Sequence, residues 1–205
     1  MAKEQGASTT EEIFAAPIQN GKALRAALGR TLASSSVNAV AAGNQAILAS
    51  KKRQILYKNG YTLPGTAAAL LAAEALSGIE HSAKLGGNIR KAELKKNGKY
   101  KRPAETDAHH VVAAEASDAD VARDIIFAVG IGINDRDNGV ILPRYMTTRI
   151  KGMLRASPHQ HIHTDVYYTN VVAALHEAQD MSDEQQIRAI LRVIAGRLRR
   201  GQFVY

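Results

Sequence analysis

The apolar positions of this chain fall into helix-length stretches separated by glycine, proline and short polar turns. Ala23-Leu24-Ala27-Leu28 and the run from Ala67 to Leu76 have helix-forming composition, with Pro64-Gly65 as punctuation, so residues 1–85 read as helical. Gly86-Gly87 and the lysine-rich stretch after it predict a linker over 86–106. Beyond 106 the pattern changes. Ala108 to Ala113 reads as a short strand or extended segment. Ser117-Asp118-Ala119-Asp120 fits a capping box with Ser117 at the N-cap, and Val121, Ile125, Ala128 and Val129 follow at helical spacing until Gly130 and Gly132. Asp135-Arg136-Asp137-Asn138-Gly139 predicts a turn in which Gly139 takes a positive φ. Val140-Ile141-Leu142 predicts a second strand, stopped by Pro143. Ser157-Pro158 predicts another helix start, with Ser157 as N-cap and Pro158 at the first helical position; Tyr168, Val171, Val172 and Leu175 form its buried stripe. Ser182 with Gln185 fits a capping box for a last helix that buries Ile187, Ile190, Leu191, Ile194 and Leu198. There is no internal repeat. The organisation expected is a helical N-terminal region over 1–106, including the basic linker, and a compact α+β unit over 107–205.

Composition sharpens this reading. The apolar fraction is 45%, much of it alanine, and aromatics make up only 5%. That balance favours close-packed helices over a β-sandwich. The chain has no cysteine, which excludes a disulfide framework, a cysteine-based zinc site and a thiol nucleophile. The first residues lead into polar Ser8-Thr9-Thr10-Glu11-Glu12 and not into the apolar run of a secretory peptide. Thr31 to Ser50 is broken by Asn38, Asn44 and Gln45, and Thr66 to Ile79 by Glu74, so neither reaches the ~20 apolar residues that span a bilayer. The expectation is a soluble protein without a membrane anchor; peripheral insertion of the alanine-rich segments is the alternative.

The net charge of +8 is unevenly placed. Residues 1–106 hold 16 Lys+Arg against 7 Asp+Glu, and residues 107–205 hold 11 against 12. The excess lies mainly in Arg90 to Arg102, which is either a solvated linker or an arm that contacts the phosphates of a nucleic acid. Arg144, Arg149, Lys151 and Arg155 likewise either clamp phosphates or form a solvated loop. Arg188, Arg192 and Arg199 flank the apolar stripe of the last helix and read as solvated.

Six of the seven histidines lie between 109 and 176. His109-His110, Asn138 and His159-Gln-His-Ile-His163 form the most informative constellation. Neutral imidazole binds transition metals and moves protons near pH 7. With a helix from Pro158, His159 and His163 lie one turn apart and His161 points elsewhere; in an extended segment all three share a face. The cap favours the helix. Taken singly, a His-His pair or a His-x-x-x-His is more often incidental than a metal site. Asp135 and Asp137 are rival oxygen ligands, although their turn position suits ordinary turn chemistry. His161 and His176 read as surface residues, and His81 has no assigned role.

The order of strand with His-His, turn with Asn, strand, then His-x-x-x-His resembles the HNH and colicin-type (His-Me finger) nuclease superfamily. The nearer likeness is to its AHH branch, through Ala108-His109-His110, Ile133-Asn134-Asp135, Asn138-Gly139-Val140, Leu142-Pro143, His159 to Thr164 and Tyr167-Tyr168. The resemblance covers roughly 107–175. It implies a ββα-metal finger carrying an inserted helix at 117–129; with the N-terminal helical extension, which is read from composition and resembles no family, the fold expected is α+β and mostly helical. The resemblance implies that His110 is the general base, that His109, His159 and His163 hold one divalent cation, and that Asn138 braces the loop and orients the His110 ring. Zn²⁺ or Ni²⁺ suits three imidazoles in affinity, while turnover can use Mg²⁺ or Mn²⁺. Arg144, Lys151 and Arg155 are the candidate nucleic-acid contacts. The activity implied is a metal-dependent endonuclease acting mainly on DNA, with RNA not distinguished by any residue. The branch also implies a bacterial toxin. It would be held in the producer's cytoplasm by an acidic immunity protein and delivered into a target cell's cytoplasm. A non-catalytic nucleic-acid-binding module with a structural zinc, closed by His161 as fourth ligand, is the rival reading.

Overall fold

A computed structural model describes residues 56–179 and 183–205. The expected helix around Ala23 to Leu28 and the expected cap at Ser182 lie outside them. Over the described residues the fold is α+β, about half helical, with two small sheets.

The first described element is a hairpin and not a helix. Strands β1 (Tyr57–Lys58) and β2 (Tyr61–Thr62) pair antiparallel across Asn59-Gly60. Asn59 and Gly60 both have positive φ (54° and 91°), the turn for which an Asn-Gly pair is the strongest short-range signal. Gly60 is also required sterically, since a Cβ there would sit 2.2 Å from the Asn88 carbonyl oxygen. Helix α1 (Ala68–Ala75) follows, and then α2 (His81–Asn97).

Helix α2 overturns the expected linker. Gly86 and Gly87 lie inside it, on a helix whose Gly86 faces the strand that carries the histidine pair; a Cβ there would lie at an ordinary contact distance of 3.6 Å from Ala108 Cβ, and one at Gly87 would meet nothing. The helix stops at Gly98, which takes the left-handed conformation (φ 69°) with its N–H on the Leu94 carbonyl. Lys95 and Lys96 sit in the last turn, where the helix dipole favours cations.

Strands β3 (Thr106–His110) and β4 (Gly139–Pro143) form the second sheet, antiparallel, with His109 opposite Val140 and His110 opposite Gly139. Between them lie a 3₁₀ turn (Ser117–Ala119), helix α3 (Asp120–Ala128) and a second 3₁₀ turn (Arg136–Asn138). Ser117 opens the 3₁₀ turn and does not cap α3 with its side chain; the extra tight turn displaces the helix start to Asp120. Gly139 is extended (φ −130°), not left-handed. What the position requires is space, because a Cβ would lie 2.6 Å from Leu85 Cδ1.

After β4 come a 3₁₀ turn (His159–His161), α4 (Asp165–Gln179) and α5 (Glu184–Arg200). Pro158 is extended (ψ 135°), so α4 does not begin there. Its first turn is held by Thr164, whose Oγ1 accepts the Tyr167 N–H at 3.1 Å. Asp183 caps α5 by accepting the Gln185 N–H. Ile187, Ile190, Leu191, Ile194 and Leu198 are all fully buried, as their spacing predicts.

The β3–β4 sheet is sandwiched. Val140 and Leu142 join the main core with α1, α3, α4 and α5, while Ala108 and Ile141 face Leu85 and Ile89 of α2 in a second cluster. Leu71, Ala72 and Ala75 of α1 share the main core with Val111, Ile125 and Ile190. The core therefore runs across the boundary expected at 106/107.

Arg188 and Arg192 of α5 are not free in solvent. Arg188 is buried and donates to both Asp135 (2.9 and 3.2 Å) and Asp137 (3.0 Å), and Arg192 chelates Asp137 (2.9 and 2.8 Å). Two buried carboxylates require cationic partners, and α5 supplies them. This arrangement removes Asp135 and Asp137 as rival metal ligands.

Candidate metal centre and general base

Adjacent residues of a strand point to opposite faces. His109 points from β3 toward α4, where its ring lies 5.2 Å from that of His159, 5.2 Å from that of His163 and 5.6 Å from that of Tyr167. His110 points the other way, toward α2, with its ring 6.3 Å from that of His81. His159 and His163 do not share one face of a regular helix. The 3₁₀ turn and the bend before α4 bring their rings within 5.6 Å of each other instead.

One ligand atom from each of His109, His159 and His163 lies within 4.8 Å of the others. The bonds around these rings show which nitrogens are available. Tyr167 hydroxyl donates to the Val111 carbonyl (2.8 Å), so its oxygen accepts from His109 Nε2 (3.0 Å). That places the proton on Nε2 and leaves His109 Nδ1, which is buried and has no hydrogen-bond partner. A buried imidazole nitrogen without a partner is costly unless a ligand takes it. His163 Nδ1 lies 3.0 Å from the Tyr168 hydroxyl, and His159 Nδ1 faces Asp107 Oδ2 at 3.7 Å, which leaves Nε2 of each ring. Three imidazole nitrogens with outer-shell partners fit a transition-metal ion.

Burial keeps these rings neutral. It pushes His109 far below the ordinary histidine range, helped by the charges of His163 and His159. Burial likewise lowers His159 and His163. His110 is pushed down to about 4, by burial first, with the bond to Asn134 opposing. All four are in the form that binds a metal or accepts a proton at neutral pH.

The loop is braced by Asn138, but Asn138 does not orient His110. Its side chain accepts the Val112 N–H (2.7 Å) and donates to the Val112 and Ile133 carbonyls (3.0 and 2.8 Å). The residue on the His110 ring is Asn134, whose Oδ1 lies 3.2 Å from His110 Nε2. Asn134 stands in the Ile-Asn-Asp run, and nothing in the local pattern ranks it above Asn138. Only the tertiary contact does. His81, without a role from sequence, lines the same cleft as His109, His110, His159 and His163.

Among the candidate cations, Arg144 is nearest the centre. It chelates Asp107 (3.0 and 3.1 Å), the carboxylate beside His159, and thereby holds that carboxyl below its ordinary range. Arg144, Lys151 and Arg155 are all exposed and none of them lines the cleft. His161 is exposed and stands apart from the ligand triad. Arg123 donates to the Ala113 and Ala116 carbonyls (2.9 and 2.8 Å), fixing the loop at the mouth of the cleft.

The chain matches the model of AHH, a nuclease family of the HNH/ENDO VII superfamily with conserved AHH, over residues 90–198. The match spans more than half of the chain, and the protein belongs to this family. Its class is thus a nuclease family, which implies a nucleic-acid substrate. No curated protein and no solved structure matches the chain. No helix among the described residues is long and apolar enough to cross a membrane.

Proposed function

We propose that this protein is a metal-dependent endonuclease that hydrolyses phosphodiester bonds in DNA, with β3, β4 and the segment from His159 into α4 serving as a ββα-metal finger. The observation that carries the reading is the split of His109 and His110 to opposite faces of β3, one toward a cluster of imidazoles and one toward an amide that sets its proton. His109, His159 and His163 would hold one divalent cation, which supplies Lewis-acid charge at the scissile phosphate when bound. His110 Nδ1 takes the proton of the attacking water, a role for which a neutral ring with its Nε2 already donating is suited. Asn134 holds that ring, and Asn138 holds the loop. Arg144, tied to Asp107, lies where it can neutralise phosphate charge.

The absence of His161 from the group of converging ligand atoms argues against the rival structural-zinc reading, because a closed site needs a fourth protein ligand. Arg90, Lys91, Lys95 and Lys96 present a basic face of α2 to solvent, consistent with a polyanionic substrate. By family resemblance we further propose a bacterial toxin. It would stay silent in the producer's cytoplasm with an acidic immunity protein bound and act after delivery into a target cell.

The test is a plasmid-nicking assay with metal add-back after EDTA treatment, on wild type and His110→Ala, with total RNA as a parallel substrate. The expected result is metal-dependent nicking of plasmid that His110→Ala lowers by roughly 10² to 10⁴ while still binding metal. Undiminished nicking by folded His110→Ala would remove the base assignment. Cleavage of RNA alone would make the enzyme an RNase.

A further inference from the structure

The side chain that orients His110 is itself oriented from outside the matched region. Asn134 is fully buried. Its Oδ1 lies 3.2 Å from His110 Nε2, and its Nδ2 lies 3.1 Å from Glu74 Oε1 and 3.1 Å from His81 Nδ1. The two ends of an amide are alike in shape and opposite in hydrogen-bond sense, so the surroundings decide which way it points.

Here they decide it fully. The Glu74 carboxylate only accepts. His81 Nε2 lies 3.1 Å from the Ala75 carbonyl, which also only accepts, so the His81 proton sits on Nε2 and Nδ1 is an acceptor. Both protons of the Asn134 amide are therefore drawn to one side, and Oδ1 is left facing His110. Because Oδ1 accepts, the His110 proton is held on Nε2 and the lone pair on Nδ1. A flipped Asn134 would present Nδ2 to His110, move the ring proton to Nδ1, and put a donor where a base needs a lone pair. Glu74 is buried and held in turn by the Tyr57 hydroxyl and the Lys84 ammonium. Tyr57, Glu74, His81 and Lys84 all precede residue 90, where the family match begins.

We propose that Glu74 and His81 are positioning residues of the nuclease centre: they fix the Asn134 amide and through it the His110 tautomer, which makes residues 57–84 part of the catalytic unit. The inference rests on the reading of His110 as general base. A buried polar cluster with a purely structural role would stabilise the fold without governing the tautomer, and that difference is measurable.

The test uses the full chain and two readouts. Long-range ¹H–¹⁵N imidazole spectra at pH 7 report the His110 tautomer without reference to activity, and steady-state nicking with Zn²⁺ titration separates kcat from metal binding. Wild type should show His110 protonated on Nε2. Glu74→Leu and His81→Phe each remove an acceptor that holds the amide, so His110 should become a tautomer mixture, and kcat should fall by about tenfold or more, with Zn²⁺ affinity within twofold of wild type. The exchange Glu74→Gln with Asn134→Asp keeps the buried volume and net charge. Its new carboxylate can only accept from His110, so the proton on Nε2 should return; because a carboxylate also favours the charged ring, the exchange is read by the spectra and not by kcat. If His81→Phe fails to fold, Glu74→Leu and the exchange carry the test. A cleaving enzyme whose His110 tautomer ignores these variants overturns the relay, as does an exchange that does not return the proton to Nε2. A tautomer that responds as expected in a chain that cleaves no nucleic acid supports the relay and removes the nuclease reading instead.

Discussion

His109 is held by Tyr167 in one tautomer, with Nε2 3.0 Å from a hydroxyl that has already given its proton to the Val111 carbonyl. The hydroxyl thus sets which nitrogen of the ring a metal can use. Tyr167→Phe should keep the ring packing and lose that control. The expected result is a 10- to 100-fold weaker metal affinity by calorimetry, the usual order for an outer-shell partner. A stability loss of about 1–3 kcal/mol in urea should accompany it, since the buried Val111 carbonyl loses its donor. Unchanged metal affinity would show that Tyr167 only fills space.

Arg188 is the cation between two buried carboxylates. Arg188→Met removes it and leaves Asp135 poorly compensated, with Arg192 still on Asp137. Breaking one side of a buried ion pair costs roughly 3–5 kcal/mol. Denaturant unfolding should show a loss of that order. A loss below about 1 kcal/mol would place the arginine with ordinary surface pairs.

Gly139 separates two explanations of a glycine. Its φ of −130° is open to any residue, so alanine should cost nothing in backbone conformation. The Cβ would still meet Leu85 Cδ1 at 2.6 Å. Gly139→Ala should therefore destabilise by about 1–3 kcal/mol through overpacking. Leu85→Val in the same chain should recover part of the loss, which a backbone-strain origin would not allow.

Acid should unfold the metal-free protein by way of its histidines. His110 titrates near 4 when folded and near 6.5 when exposed, so between those values the unfolded chain binds more protons. Its contribution is fully present above pH 6.5 and is lost as pH falls toward 4, on the order of 3 kcal/mol. His109, His159 and His163 are shifted in the same direction and add to the loss. Urea unfolding of EDTA-treated protein at intervals from pH 7.5 to 4 checks this, and a flat stability over that window would contradict the burial of neutral rings. The acid limb of metal-supported cleavage should lie below pH 6.5, because the lowered imidazoles stay neutral further into acid.

The stripes of α4 and α5 were legible because each depends on residues near in sequence, whereas the approach of His109 to His159 and His163 rests on how the β3 strand packs against the segment before α4. Tyr168, Val171, Val172 and Leu175 are buried at helical spacing, and so are Ile187 to Leu198. Local signals misled where a distant element changed their meaning. Gly86-Gly87 is a linker signal on its own, yet the pair lies inside α2 because the apolar residues around it, Leu85 and Ile89, pack on Ala108 and Ile141 of the distant sheet. Asn138 and Asn134 are equivalent by type, and only the approach of His81 and Glu74 makes Asn134 the one that faces His110. Arg188 looks solvated on a helical wheel until the turn at Asp135 and Asp137 docks on it.

The sequence by itself determined the helices with apolar stripes, the strand that carries two histidines on opposite faces, and the set of imidazoles available for a metal. These follow from backbone periodicity and side-chain chemistry, which need no distant partner. Tertiary structure alone decided which nitrogen of each ring is free, which asparagine serves His110 and which charges are buried. Hydrogen-bond direction and desolvation are properties of what packs against a group, and here those neighbours come from as far as 77 residues away, as with Tyr57 and Asn134.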